Sequence, residues 1–363
     1  MLAFWRWVWH SLKPVAARVA GKVFSRSPRM LAGLSWISQG IETVLAPRYS
    51  AITKSESNSL NIVFTKYKTP DFGTVHFATF KEYSDPYSVR IRNAWKIEPQ
   101  TRLAISLLGN ESTFIDLGAN VGTICLPIVI KTGARCYAVE ADGLNVQLLE
   151  AAIKKNKLSN VHVIHCAVYD KDGQVSIAGS SGYVTVTDGG PISVPALTLD
   201  SIIEEYSIAR VSLMKMDVEG CELKVLKGAE IFFKRNPDVD VIFEANGSHC
   251  LGAGYMPQDL MKYFEERDYS LYMIFGTSLI KRTSRDFQEP GLTDYIATKK
   301  RIEGTNCGLK FREMAYEERV HQVVRALTLM KPGYRTFMLK QLESAPREII
   351  DDHRVSTALQ EQI

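Results

Sequence analysis

The sequence predicts an α/β fold in which a mostly parallel sheet carries helices on both faces. Three observations predict it. Beyond Ser112 short β-rich runs alternate with helical stretches, four of the first five runs end in a carboxylate, and a glycine-containing turn follows the first of them. With 363 residues, 45% hydrophobic and 23% charged, the chain has an ordinary globular mix. Such a mix excludes disorder, collagen-like repeats and small disulfide-stapled scaffolds. At about 150 residues per domain, length alone suggests roughly two domains.

In chain order, residues 1–50 read as a basic amphipathic N-terminal segment. Residues 1–41 hold six of the 44 basic residues and no acidic one, leaving 38 basic against 40 acidic in the remainder. The formal +4 is therefore N-terminal, and a chain otherwise so balanced is not expected to bind nucleic acid through its field. Trp5, Trp7, Trp9 and Trp36 cluster there, and Leu12, Val15, Ala16, Val19 and Val23 recur at helical spacing beside Lys13, Arg18 and Lys22. This segment suits an anionic membrane interface, a helix packed on its own domain or a partner, or a transit peptide. No run of 18 uncharged apolar residues exists, so no spanning helix is expected. The six cysteines show no CxxC pair and read as buried thiols of a reducing, cytoplasmic setting, with peripheral membrane contact left to residues 1–41.

Residues 51–94 read as a short β-rich prelude. It opens with the polar Ala51–Asn61 linker and continues with strands at Ile62–Phe64 and Val75–Phe80 around a Thr69-Pro70-Asp71-Phe72-Gly73 turn. The main domain, residues 95–304, places strands at Thr113–Asp116, Arg135–Glu140, Val161–Cys166, Val211–Asp217 and Val239–Glu244. Tyr269–Phe275 and Asp294–Thr298 close the sheet. Helices are predicted over Gly143–Leu158 and Cys221–Phe233 from their apolar spacing. Residues 305–363 read as a charged, helical C-terminal tail.

Ligands of such sheets bind beyond the carboxyl ends of the strands, so the strand-end residues carry the chemistry. Asp116-Leu117-Gly118-Ala119-Asn120-Val121-Gly122 is a tight strand-to-helix turn in which Gly118 and Gly122 permit close backbone approach. Asp116 can receive a ligand's ammonium or order the turn. A dinucleotide fingerprint would require a glycine at Asn120, and its absence favours a cofactor without a pyrophosphate. Glu140 ends the second strand, 18 residues past Gly122, where a carboxylate can accept hydrogen bonds from both hydroxyls of a ribose. Asp170 can reach an adenine's exocyclic amine or merely start the Asp170-Lys171-Asp172-Gly173 turn, and His165 reads as a satisfied strand-end histidine. Asp217 and Glu219 lie on the fourth strand-to-helix turn. Glu222, in the first helical turn after it, equally suits the helix dipole. Glu244 ends the fifth strand before Gly247, Ser248 and His249, which read as a loop over the site. The order of candidate general bases is Asp217 and Glu219, then Glu244, then His249. Asp217, Glu219 and Glu244 are also hard oxygen ligands of the kind Mg²⁺ or Ca²⁺ takes. No EF-hand-like or His-containing ligand spacing stands in the sequence, however, so no metal is expected.

Together these residues resemble a known family. The D-L-G-A-N-V-G loop at 116–122, Val139-Glu140, Asn145, Leu197-Thr198-Leu199-Asp200, the block Lys215 to Glu222 with Leu226 to Ala229, and Phe243-Glu244 are similar to the FkbM family of S-adenosylmethionine-dependent methyltransferases. The lead-in Trp95 to Pro99 fits as well, and the likeness spans about 200 of the 363 residues. Ala141 replaces the family's usual proline. The resemblance implies a three-layer Rossmann-like methyltransferase fold with a seven-stranded sheet. It also implies S-adenosylmethionine as cofactor, with Asp116, Gly118, Asn120, Gly122, Glu140 and Asp170 on its side of the site. The implied reaction is O-methylation of a hydroxyl on a sugar, glycan or related metabolite, with Asp217, Glu219 and Glu244 as catalytic candidates. Two alternatives stand beside it: an NAD-dependent oxidoreductase on a similar sheet, and a membrane-docked, non-catalytic scaffold of the same fold.

Overall fold

A computed structural model of the chain describes residues 60–360, apart from 71, 84, 181–182, 289–292, 301, 303–307 and 329–334. The amphipathic segment 1–50, the linker as far as residue 59, Asp71 and Cys307 lie outside the described residues. Strands β1 (Ile62–Thr69) and β2 (Gly73–Phe80) pair as an antiparallel hairpin. Val75, Phe77 and Phe80 of β2 are buried. Next come α1 (Pro86–Asn93) and α2 (Pro99–Leu107). The side chain of Asp85 caps α1 by accepting from the Ser88 N–H, and a proline opens each helix where no N–H is needed. Between them Trp95 packs against the rings of Tyr67, Phe72 and Phe77.

The alternating region then runs β3 (Thr113–Leu117), α3 (Cys125–Thr132), β4 (Arg135–Glu140), α4 (Gly143–Asn156) and β5 (Val161–His165). It continues through β6 (Ala167–Val168), β7 (Gly173–Ser180), β8 (Tyr183–Val186), β9 (Ile192–Leu197) and α5 (Leu199–Glu205). Next are β10 (Leu213–Met216), α6 (Glu222–Lys227), α7 (Glu230–Arg235), β11 (Asp240–Glu244), α8 (Gly247–Gly252) and α9 (Pro257–Glu265). The last strands are β12 (Ser270–Phe275), β13 (Ser278–Arg282), β14 (Asp294–Thr298) and β15 (Lys310–Arg312). Helices α10 (Tyr316–Thr328), α11 (Arg335–Ser344), α12 (Arg347–Ile350) and α13 (His353–Gln360) end the described chain.

Among the described residues nine strands form one sheet in the order β5-β4-β3-β10-β11-β14-β12-β13-β15. From β5 to β11 the pairing is parallel, and β14 runs antiparallel to both β11 and β12. Seven of these are the expected strands, and β13 and β15 extend the edge. Alternation along each strand feeds two cores. Met214, Met216, Val241 and Phe243 meet Val225, Phe232, Leu260 and Phe264 on one face. Leu213, Ile242 and Phe114 meet Leu103, Leu126, Leu148 and the hairpin's Phe77 on the other. Three layers result, as the sequence predicts for an α/β chain.

Several elements depart from expectation. Between β5 and β10 the chain builds a separate four-stranded sheet, β6-β9-β7-β8. The helix expected over Cys221–Phe233 is two helices, broken where Gly228 passes so close to Tyr169 that a Cβ would lie 2.5 Å from its carbonyl oxygen. The Asp200 carboxylate restarts the second by accepting from the N–H groups of Ile231 and Phe232. The segment holding Gly247, Ser248 and His249 is the short helix α8, capped by Asn246, rather than a loop. The expected helical tail begins with a strand, β15, and then packs Val320, Val323, Leu327 and Val355 into a small core with Phe287. Among the described residues, no helix is long and apolar enough to cross a membrane. Cys125, Cys136, Cys166, Cys221 and Cys250 are free and buried.

The strand order reverses direction between β3 and β10, and the loops leaving these strands lie side by side. The Asp217 N–H donates to the Leu117 carbonyl at 3.1 Å. Gly118 has φ +77°, and a Cβ on it would lie 1.9 Å from the Asp217 carbonyl oxygen. Gly118→Ala is therefore expected to cost about 2–4 kcal/mol in urea unfolding, from backbone strain and overlap. Gly109→Ala, with nothing within 4 Å of the added carbon, is expected to change stability by less than about 0.5 kcal/mol.

Candidate active site

The loop after β3 folds over the end of β4. The N–H groups of Gly118 and Ala119 both donate to the Val139 carbonyl at 2.9 Å. Asn120 adopts a left-handed φ of +52°, its side chain accepts from the Val121 N–H, and its own N–H donates to Glu140 Oε2 at 2.7 Å. The other oxygen of Glu140 accepts from the Asp142 N–H at 2.8 Å. Gly122 lets α4 approach, since a Cβ there would meet Leu149 at 2.7 Å. Burial raises the Glu140 carboxyl to a pKa of about 7, against the two backbone N–H groups that favour its charge.

Lys215 stands in the middle of β10 opposite Asp116 of β3. Its ammonium lies 3.5 Å from Asp116 Oδ1 and 3.1 Å from Asp217 Oδ2, and donates to the Gly118 carbonyl at 3.2 Å. Burial alone would lower the lysine's pKa, but the charges of Asp217 and Asp116 raise it, so it stays an ammonium. Asp116 is fully buried, and neither oxygen makes a hydrogen bond. Burial raises its pKa while Lys215 opposes the rise. The ammonium beside Asp116 is thus that of Lys215.

On the other side of Asp217, three segments converge. Glu219, at a left-handed φ of +53°, places Oε2 at 2.9 Å from His249 Nδ1, and Glu244 Oε2 lies 3.8 Å from the same nitrogen. Burial works against the charged imidazole, yet Glu219 and Glu244 raise His249 to a pKa of about 10. Burial and then Asp217 push Glu244 well above the carboxylate range, and Asp294, opposite Glu244 in the β11–β14 register, rises for the same two reasons to about 8. Burial also raises Glu219, with His249 opposing. Asp217 is the most open of the three predicted catalytic carboxylates, its side chain 35% exposed against 19% for Glu219 and 6% for Glu244.

The remaining predicted residues sort themselves by their partners. Glu222 is structural: its carboxylate accepts from the N–H groups of Val218 and Gly220 and from the Tyr255 hydroxyl, holding the loop that carries Asp217 and Glu219. His165 is satisfied by the Ala141 carbonyl at 3.1 Å. Asp170 lies in the loop between β6 and β7 with one oxygen buried and unbonded, and its charge acts on Cys221 and Lys224 at the start of α6. Sequence reasoning assigned no role to Lys215 or Asp294. A lysine inside the apolar Leu213–Met216 run and an acid opening β14 were the available signals.

With this geometry in place, comparison with known proteins decides the class. The model of the methyltransferase FkbM domain matches residues 116–271, from the buried Asp116 to the start of β12. The chain carries an FkbM methyltransferase domain. A curated relative, the hexuronic acid methyltransferase AglP of Haloferax volcanii, is 25% identical over 185 residues, covering 50% of this chain and 73% of the relative. Among solved structures, M. capricolum TrmK in complex with S-adenosyl-homocysteine aligns at TM-score 0.39 and 10% identity over 73% of this chain and 97% of its own. The precorrin-6y C5,15-methyltransferase of Geobacter metallireducens aligns at TM-score 0.36 and 9% identity over 56% and 87%. The strand order of the chain itself carries the fold assignment. The FkbM domain makes the chain an S-adenosylmethionine-dependent methyltransferase, which sets aside the oxidoreductase alternative.

The residues present fit that cofactor. Glu140 accepts one backbone N–H on each oxygen and a side-chain hydrogen bond from Asn145, and the lone pairs left over can accept a ribose hydroxyl. Removing the lysine tests the junction beneath. Lys215→Met is expected to cost roughly 3 kcal/mol in urea unfolding, because it leaves Asp116 as an unpaired buried acid. The double variant with Asp116→Asn should recover part of that loss, a non-additivity that a double-mutant cycle measures.

Proposed function

We propose that the chain transfers a methyl group from S-adenosylmethionine to a hydroxyl of a sugar, glycan or related small acceptor. The observation that carries this reading is the division of the site at the β3–β10 junction. A glycine loop organised by Glu140 stands on one side, and an acidic, His-containing cluster reached through Asp217 stands on the other. The name of the AglP relative, a hexuronic acid methyltransferase, favours a sugar-type acceptor. Bound at the glycine loop, the cofactor supplies an already activated methyl group on a sulfonium.

The protein's own work is then positioning and proton removal. Glu140 accepts the ribose hydroxyls while its backbone bonds keep the loop closed around it. Gly118, Asn120 and Gly122 shape the surface for the amino-acid end, Asp116 holds that loop in place through Lys215, and Asp170 borders the adenine side. Asp217 takes the acceptor's proton, held in place by the Lys215 ammonium and open enough to meet a substrate. Glu219 and Glu244, tied through His249, orient the acceptor.

Two measurements test the two sides. The ionised Glu140 is the stronger acceptor, and its pKa is about 7. Calorimetric affinity for S-adenosylmethionine should therefore be weaker below pH 7, rise through it and level off above. Glu140→Gln should weaken binding and flatten that profile. Unchanged binding in this variant would remove Glu140 from the cofactor site. With an acceptor sugar supplied and product followed by mass spectrometry, Asp217→Asn should lower kcat by about 10²–10⁴-fold while cofactor affinity holds.

A further inference from the structure

We propose that Glu219, Glu244 and His249 form a binding site for one divalent first-row cation. The ligand atoms of these three side chains all lie within 4.8 Å of one another. Metal–ligand bonds of about 2.0–2.2 Å bring such atoms to about 3–4 Å from each other, so small side-chain rotations complete the set. Two carboxylates with one imidazole suit Mn²⁺, Fe²⁺ or Zn²⁺ better than Ca²⁺, which takes oxygen ligands alone.

A second observation, independent of the clustering, points to a ligand. The Glu244 side chain is 6% exposed and aimed at His249. Its ion-pair partner among the described residues is His249 Nδ1, 3.8 Å away and beyond hydrogen-bond reach. His249 Nδ1, which faces both carboxylates, is buried with no hydrogen bond, a cost that a native fold ordinarily removes. Its distances of 2.9 Å to Glu219 and 3.8 Å to Glu244 leave room for a cation between the three, which satisfies all of them. The wider charge distribution agrees. Asp217 and Asp294 also face the cluster, and Lys215 and His249 are the cations set against these four carboxyl groups. Glu219 is held at a left-handed φ of +53°, a backbone cost of the kind that persists where a side chain must be aimed.

The three ligands are anchored on separate elements: the loop after β10, the end of β11, and α8, whose cap at Asn246 fixes its start. Three protein ligands leave coordination positions open, which marks a catalytic rather than a structural ion. For the cation's role, though not for its binding, the inference rests on the methyl-transfer reading. The open positions take oxygen atoms of the acceptor, hold them beside Asp217 and make the hydroxyl easier to deprotonate.

The test uses the full chain, stripped with chelator and titrated with Mn²⁺, with loss of the free-ion signal in electron paramagnetic resonance as the readout. One Mn²⁺ per chain is expected, displaced by Zn²⁺. Glu244→Gln and His249→Gln should each weaken Mn²⁺ binding by at least about tenfold, with circular dichroism confirming the fold. No Mn²⁺ uptake at millimolar concentration, or wild-type affinity in both variants, overturns the proposal. Calorimetry with S-adenosylmethionine on the same samples reads the methyltransferase assignment separately. Failure there with Mn²⁺ still bound removes the catalytic role and leaves the ion site standing.

Discussion

The Lys215 ammonium lies between Asp116 and Asp217 with only 8% of its side chain reaching solvent. An isolated charge in such a place would cost several kcal/mol, and the attraction of its two partners offsets this only while the geometry holds. Asp116 comes from β3, Asp217 from the end of β10, and the third contact is the Gly118 carbonyl of the glycine loop. One buried charge thus pins two neighbouring strands and both loops that leave them. Register, loop path and site geometry rise or fall together.

From this junction the two sides of the site take different characters. The glycine-loop side is preassembled by backbone hydrogen bonds, several of which converge on Val139 and Glu140. Little conformational freedom is left for a ligand to remove there, which suits the proposed cofactor side. The opposite side is built from charged side chains at incomplete distances, its acids raised by burial and by one another. That side is electrostatically unfinished, and the proposed cation and acceptor are what its chemistry calls for.

Much of this was legible in the sequence because parallel strands buried on both faces read as apolar runs ending in polar residues. All seven strands expected of the main sheet are present, and Asp116, Glu140, Asp217 and Glu244 end or border the strands assigned to them. Elements whose signals depend on distant partners were not legible. The four-stranded sheet β6-β9-β7-β8 comes from short polar-apolar alternations around Asp188-Gly189-Gly190, which look like loop until they pair. The break at Gly228 is set by the Tyr169 backbone, 59 positions upstream, and so leaves no local periodicity to read. Glu219, Glu244 and His249 meet only through tertiary structure, so no ligand spacing along the chain announces them. Lys215 was visible as a charge in an apolar strand, but its meaning required the register that sets it opposite Asp116.

The small sheet reaches the loop after β10 through the Thr185 hydroxyl of β8, which donates to the Glu219 carbonyl at 3.1 Å. It sits between β5 and β10 in the chain; Ala167, Ile177 and Val194 form a small core of its own, while Val168 of β6 packs into a core of the main sheet. Insertions or deletions in the β7–β8 hairpin, the part of this sheet that reaches Glu219, can therefore re-aim that residue. In evolutionary terms, the proposed acceptor side can change through a hairpin that lies outside the main sheet.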